Sequence, residues 1–122
     1  MNYVTTRVIP TTKQVHQPAA ATAAVVTVAA PGAKRRTVIC LIAYSYSEAP
    51  AAGTGLLTIT DGGTTIAVFS ITAAGPGFVV CEIPANVNSE VVATLASGGG
   101  TSVAKLTVHS YNEPEAPNVA VS

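Results

Sequence analysis

"LLTITDGGTTIAVFSIT", residues 56–72, is the stretch that decides the fold class. Two runs rich in β-branched residues flank Asp61-Gly62-Gly63, and glycine readily takes the positive φ that a tight hairpin turn needs. The stretch therefore predicts two antiparallel strands joined by a short turn. Asp61 is its one charged residue, and at the start of a turn we expect its carboxylate to bond backbone N–H groups.

Short apolar runs separated by Gly- and Pro-rich turns continue on both sides of this hairpin. They are "AAVVTVA" (23–29), "TVICLIAYSYS" (37–47), "FVVCEI" (78–83), "EVVATLA" (90–96) and "TSVAKLTVHSY" (101–111), with "PANVNS" (84–89) as a connection. No stretch of ten residues combines helical spacing with good helix formers. We therefore predict an all-β protein of seven strands, or eight if part of the N-terminal region pairs. The immunoglobulin Cys…Trp…Cys spacing is absent, which favours an antiparallel, jelly-roll-like β-sandwich.

The chain divides by composition into three parts. Residues 1–23 read as an extended N-terminal arm, because Pro10 and Pro18 block a helix and no apolar periodicity is long enough to fold alone. Residues 24–111 form the predicted sandwich domain. Residues 112–122 form a C-terminal tail with two prolines and no pattern.

The run 37–47 is apolar on both alternating faces, which is typical of a central strand covered on both sides or facing a neighbouring subunit. Tyr44 and Tyr46 share one predicted face. They could form a paired aromatic platform for a sugar, but packing in the core or between subunits is the favoured interpretation. Cys40 and Cys81 lie inside apolar runs, and we expect both to be buried thiols.

Charge is scarce and unevenly placed. Hydrophobic residues make up 48% of the chain and charged residues 10%, against about 25% charged in an average protein. This composition suits a protein that is packed against others. Residues 1–36 hold five basic residues and no acid, whereas residues 37–122 hold one lysine and six acids. The five basic residues are the candidate partner-binding residues: Arg7, Lys13, Lys34, Arg35 and Arg36. The alternative is that these charges are simply solvated.

Other function classes find little support in the sequence. It contains no G-x-S-x-G, H-E-x-x-H or P-loop motif, so we expect no enzyme, no catalytic residues and no cofactor. Two histidines remote from two cysteines predict no metal site. The basic residues lack interleaved aromatics, which argues against nucleic acid, and the apolar runs are far shorter than the ~20 residues that span a membrane.

Two segments resemble a known family. "AYSYSEAP…GLLTITDGGTTIAVFSITAAGPGFVV" and "VVATLASGGGTSVAKLTVHSY" are similar to small β-rich structural proteins of tailed bacteriophages, above all capsid decoration (cement) proteins. The resemblance covers roughly residues 34–111. It implies a β-sandwich, commonly a homotrimer, that sits outside the capsid lattice and bridges major capsid protein subunits, often through a terminal arm. It also implies a location on the virion surface after synthesis in the host cytoplasm.

We therefore expect a structural virion protein that stabilises a phage capsid from outside. On this hypothesis the arm and the basic residues bind the capsid or a neighbouring copy, and the sandwich builds the oligomer. Two alternatives stay open: a receptor- or carbohydrate-binding fibre or knob module, and another small capsid or tail component.

Overall fold

The computed structural model describes residues 11–114, which form eight β-strands and two sheets. The strands are β1 Thr12–His16, β2 Ala24–Val28, β3 Arg35–Tyr46, β4 Leu56–Asp61, β5 Thr64–Ser70, β6 Gly75–Val87, β7 Val91–Leu95 and β8 Ala104–Pro114. Arg7, most of the predicted arm's first half and residues 115–122 of the predicted tail lie outside the described residues.

Each sheet has four antiparallel strands. The front sheet has the order β1-β8-β3-β6, and the back sheet has the order β2-β7-β4-β5. This strand order is that of an eight-stranded jelly roll, in which two sheets pack face to face. The predicted fold class is confirmed. The eighth strand is β1, which comes from the segment assigned to the arm and pairs with β8 from Thr12 to His16.

The core lies between the two sheets and follows the alternation of their strands. Along β8, Ala104, Leu106 and Val108 are buried while the residues between them face outward, as the sequence predicts. Leu57 and Ile59 of β4 are fully buried against them from the back sheet. Burying one such side chain stabilises a fold by about 1.5–3 kcal/mol.

The hairpin predicted around Asp61-Gly62-Gly63 is confirmed at its turn. Gly62 and Gly63 have φ values of 59° and 92°, which suit a two-residue turn between β4 and β5. Asp61 is only 6% exposed. Its Oδ2 accepts the backbone N–H of Asn86 at 2.8 Å, and its Oδ1 accepts the hydroxyl of Ser89. Asp61 thus bonds a backbone N–H of the front sheet, and its carboxylate ties the two sheets together at this end.

Two details differ from the sequence prediction. β6 does not end at Ile83 but continues through Pro84 to Val87, so "PANVNS" is a connection only after its fourth residue. Proline is tolerated there because β6 is an edge strand and needs no N–H donor on its free side. Likewise β8 runs to Pro114, three residues beyond the boundary suggested at Tyr111.

A β-bulge at Cys40 breaks the predicted alternation of β3. The register with β8 shifts between Ile39 and Leu41. Strict alternation predicts that Val38 and Ile42 share one face of the strand. In the structure, Val38 faces outward and Ile42 faces the core. A bulge inserts one unpaired residue and reverses the side-chain direction beyond it.

Candidate interaction surfaces

The outer face of the back sheet, here called the back face, is uncharged. Asp61 is the one charged residue on these four described strands, and it points into the core. The back face consists of threonine, serine and aliphatic side chains: Val25, Thr27, Leu56, Thr58, Thr60, Ile66, Val68, Ser70, Val92 and Thr94. Val68 lies on the edge strand β5, and its side chain is 52% exposed. Soluble surfaces normally mix charges of both signs, so this face has the chemistry of a contact surface.

The outer face of the front sheet, here called the front face, is larger and carries charge only around an apolar centre. Its register aligns side chains in two rows across all four strands: Val15, Thr107, Ala43 and Phe78 in one, and Lys13, His109, Leu41 and Val80 in the next. Phe78 is 69% exposed and Val80 is 75% exposed. Two large apolar side chains exposed side by side on an edge strand favour protein contact over permanent exposure to water.

A shallow depression of about 250 Å³ lies beside Phe78 on this face. It exists because the side chains along its floor and walls are small or absent, as at Ala43, Ser45 and Gly77, and it is bounded by Pro76 and Lys105. The ring of Tyr44 occupies the other side of the sheet over Gly77. The depression is open to solvent. Lys105 offers it an ammonium group, and Ser45 and Thr107 offer it two hydroxyl groups.

Tyr44 and Tyr46 do not form an exposed platform. Tyr46 is 1% exposed, and its hydroxyl donates to the carbonyl of Ala96 at 2.6 Å. Burial raises the pKa of the Tyr46 hydroxyl. Tyr44 is half-buried and packs against the core cluster. The favoured interpretation, core packing, is therefore confirmed for both, and the exposed aromatic of the sandwich is Phe78.

The predicted basic residues do not converge on one spot. Lys13 lies on β1, level with His109, whereas Arg36 lies level with Glu113, four residues further along β8. Lys34 occupies the turn before β3 with a φ of 63°, and Arg35 begins that strand. The structure thus brings Lys34, Arg35 and Arg36 together at one end of the front sheet and leaves Lys13 nearer its centre.

Arg36 approaches one acid without a close bond. Its Nε lies 3.9 Å from Oε2 of Glu113, and among residues 11–114 this nitrogen has no hydrogen-bond acceptor although it is buried. Nearby, burial raises the pKa of Tyr111, and the charges of Glu82 and Glu113 raise it further. At this end of the front face, Glu82, Glu113 and Tyr111 line a small hollow of about 120 Å³ over Val38, and Arg36 lies beside Glu113.

The two cysteines are free thiols on neighbouring strands, β3 and β6. Both are half-buried, so the expectation of buried thiols is met only in part. Cys40 Sγ donates to the carbonyl of His109, and Cys81 Sγ donates to the carbonyl of Ile39. Burial raises the pKa of Cys81, and the proximity of Cys40 raises it further. Since the thiolate is the reactive form, Cys81 is a poor nucleophile and metal ligand.

Between residues 11 and 114, no three His, Cys, Asp or Glu side chains cluster closely enough to hold a metal ion. The same part of the chain contains no helix of the length and apolarity needed to cross a bilayer. What the described geometry offers is contact area: two broad sheet faces, one uncharged and one apolar with charged margins.

Sequence reasoning missed Phe78, Val80 and Val15 as surface residues. A signal was present, because alternation through "GPGFVVCEI" puts residues 78, 80 and 82 on one side. This pattern could not show which of the two sides is exposed, because that depends on which side of β6 packs against the back sheet. The bulge at Cys40 hid the equivalent pattern on β3.

No protein-family model and no curated protein sequence matches the chain. Among solved structures, it is similar to the CBM36-1 domain of a multidomain xylanase from the hindgut metagenome of Trinervitermes trinervoides. That likeness has a TM-score of 0.46 at 7% identity and covers 90% of this chain and 100% of the other.

The carbohydrate-binding module CBM36 in complex with calcium and xylotriose gives a TM-score of 0.44 at 10% identity, covering 88% and 91% of the two chains. A Bacillus endospore appendage protein, from disulfide-linked pili, gives 0.38 at 18% identity, covering 91% and 97%. All three are likenesses in the β-rich fold at low sequence identity.

Proposed function

We propose that this protein is a structural subunit that binds the outside of a bacteriophage capsid and stabilises it by bridging major capsid subunits. The observation that carries the structural role is the uncharged back face. Its exposed side chains are threonine, serine and aliphatic groups, so burying it against a partner costs no ion desolvation. The phage capsid comes from the sequence resemblance over residues 34–111.

The back face is the surface proposed to meet the capsid. A flat face of short side chains loses little rotamer entropy on contact, and threonine hydroxyls supply hydrogen bonds to a polar lattice. Lys34 and Arg35, at the turn before β3, supplement this contact. They lie at one end of the sandwich, where they can reach acidic groups beside the docked face.

Binding to intact particles tests the proposal. Val68→Lys places a charge on the edge strand of the back face and is expected to abolish co-sedimentation with capsids that otherwise lack the protein. Ala52→Lys, in the exposed loop between β3 and β4, is the matched control and should bind normally. Equal binding of both variants would rule out the back face as the capsid contact.

A truncation separates the arm from the sandwich. Deleting residues 1–10 leaves β1 and its pairing with β8 in place, whereas a longer deletion would remove a strand. If the arm bridges capsid subunits, the shortened protein folds normally but protects particles less against heat or osmotic rupture. Full protection would place bridging in the sandwich alone.

Carbohydrate binding is a second candidate, supported by Phe78 beside the depression over Ala43 and Ser45. An exposed ring next to hydroxyl and ammonium groups can stack on a sugar and bond its hydroxyls. A glycan array with the wild-type protein and Phe78→Ala tests it. Signals lost in the variant would favour this candidate, and a blank array with the wild type would remove it.

A further inference from the structure

We propose that the front face binds the front face of a second copy of this chain, around a two-fold axis that runs parallel to the strands, midway between the two facing sheets and over the middle of each. The proposal deepens the structural role above, because it names the surface through which the subunit associates with itself. It puts a dimer in place of the homotrimer that the family resemblance implies. It leaves the back faces of both copies free.

Such an axis lays β6 of each copy over β1 of the other and β3 over β8. Phe78 and Val15 share one row at opposite edges of the sheet. The axis therefore stacks Phe78 of each copy on Val15 of the other. This contact occurs twice in the interface, so both exposed side chains of each copy are covered. Two sheets packed in this way lie ~10 Å apart, as in a sandwich core.

The charges on the margins match under the same operation. Lys13 shares its row with Val80, and Glu82 is the next outward-facing residue along β6. Turning one copy over the other brings Glu82 of each beside Lys13 of its mate. An isologous contact needs this self-complementarity, since every pairing occurs twice.

Arg36 and Glu113 repeat the pattern at the end of the face. They are directly paired across β3 and β8, so the axis sets Arg36 of each copy against Glu113 of the other. Among the described residues, the Arg36 Nε lacks an acceptor and stands 3.9 Å from its own Glu113. The Arg36 side chain is 25% exposed, and the second copy supplies a carboxylate to the accessible part of its guanidinium. Between these charges, Tyr111 comes over Val38.

The available area lies near the lower end of what a stable pair needs. The four strands have 5, 11, 12 and 13 residues, and at ~3.3 Å per residue and ~4.8 Å between strands they give a face of roughly 650 Å². Stable complexes bury about 600–1,000 Å² per partner. The exposed apolar side chains Val15, Phe78 and Val80 lie on the two edge strands of this face, so the pairing covers both edges at once.

Charge reversal with mixing tests both the surface and its symmetry. The mass of the purified protein is measured by sedimentation over a range of concentrations, without capsids. Wild type is expected as a dimer. Lys13→Glu and Glu82→Lys, each alone, set like charges opposite each other twice and raise the dissociation constant about tenfold or more. Mixing the two variants restores a dimer of wild-type affinity, because every pair in the mixed dimer is then of opposite sign.

Val68→Lys on the back face is the control for an added charge and should dimerise normally. Val80→Lys should yield monomer. A wild-type monomer at high concentration, a trimer, or variants that fail to re-associate on mixing would each overturn the proposal. Because no capsid is present, these outcomes are independent of whether the back face binds particles.

Discussion

Gly77 and Tyr44 pair directly across β6 and β3, and the tyrosine ring lies over the glycine so closely that a Cβ there would come 2.5 Å from Tyr44 Cζ. The ring fills the space that a side chain would take. This contact lets an aromatic side chain on a long strand cover a glycine that would otherwise weaken the sheet.

Gly77→Ala is therefore expected to destabilise the protein by about 1–3 kcal/mol, the usual cost of overpacking. The free energy of unfolding from urea titration measures it. The same substitution in a Tyr44→Ala background supplies the control, because the obstructing ring is gone. A cost unchanged in that background would show that the ring is not the obstacle.

Asp61→Ala is expected to lower the free energy of unfolding by about 1–3 kcal/mol, because it removes the carboxylate that accepts the backbone N–H of Asn86. Ser89→Ala removes the second hydrogen bond of the same carboxylate and spares the first. It should cost less. If the two variants cost the same, the bond to Asn86 would not be the contact that matters.

Tyr46→Phe removes the hydroxyl that donates to Ala96 and keeps the ring in the core. The expected loss is about 0.5–1.5 kcal/mol, with the Ala96 carbonyl left to find another donor. Thermal unfolding of the variant measures it. The raised pKa of this hydroxyl also predicts that its ultraviolet ionisation band appears at a higher pH than that of a free tyrosine. A normal ionisation pH would contradict the buried placement.

Cys81 gives a prediction about alkaline stability. Its pKa is raised in the folded protein, so between the unfolded pKa, about 8.5, and the folded pKa the folded state binds more protons than the unfolded state. The free energy of unfolding contributed by this thiol must then fall as pH rises through that window. Comparing wild type with Cys81→Ala at pH 7.5 and 10 isolates the effect.

The wild type should lose more stability than the variant over that interval. In the same experiment, alkylation of Cys81 by iodoacetamide should be slow in the folded protein and fast in denaturant. Fast alkylation of the native protein would mean that the Cys81 thiol is not shielded and that its pKa is not raised.

Local chemistry made much of this fold predictable. Asp61-Gly62-Gly63 identified the hairpin because few other residues tolerate its turn, and alternation through β8 identified its buried face. The strand order could not be predicted, because β1-β8 and β3-β8 pairs join residues distant in sequence and depend on the whole chain. The composition of β3 does not reveal the bulge at Cys40. Simple alternation therefore assigns the residues before Cys40 to the wrong face.

The surfaces were less predictable than the core. Basic residues drew attention because charge is rare in this sequence, yet the structure distributes them along the front sheet. Phe78 and Val80 looked like core residues, since the run "FVV" is apolar on both sides. Which side is exposed depends on which face of β6 packs against the back sheet, and only the tertiary structure supplies that fact.

The pairing of β1 with β8 has a practical consequence for protein engineering. Because Thr12 stands opposite Ser110 in an antiparallel pair, the chain enters β1 and leaves β8 at the same end of the sandwich. The described chain therefore begins and ends on the same side of the sandwich, which is where segments attached before β1 or after β8 start. The loop at residues 47–55 lies at the opposite end, close to Ser102 and Val103, so a foreign peptide inserted in it would be displayed away from both attachment points.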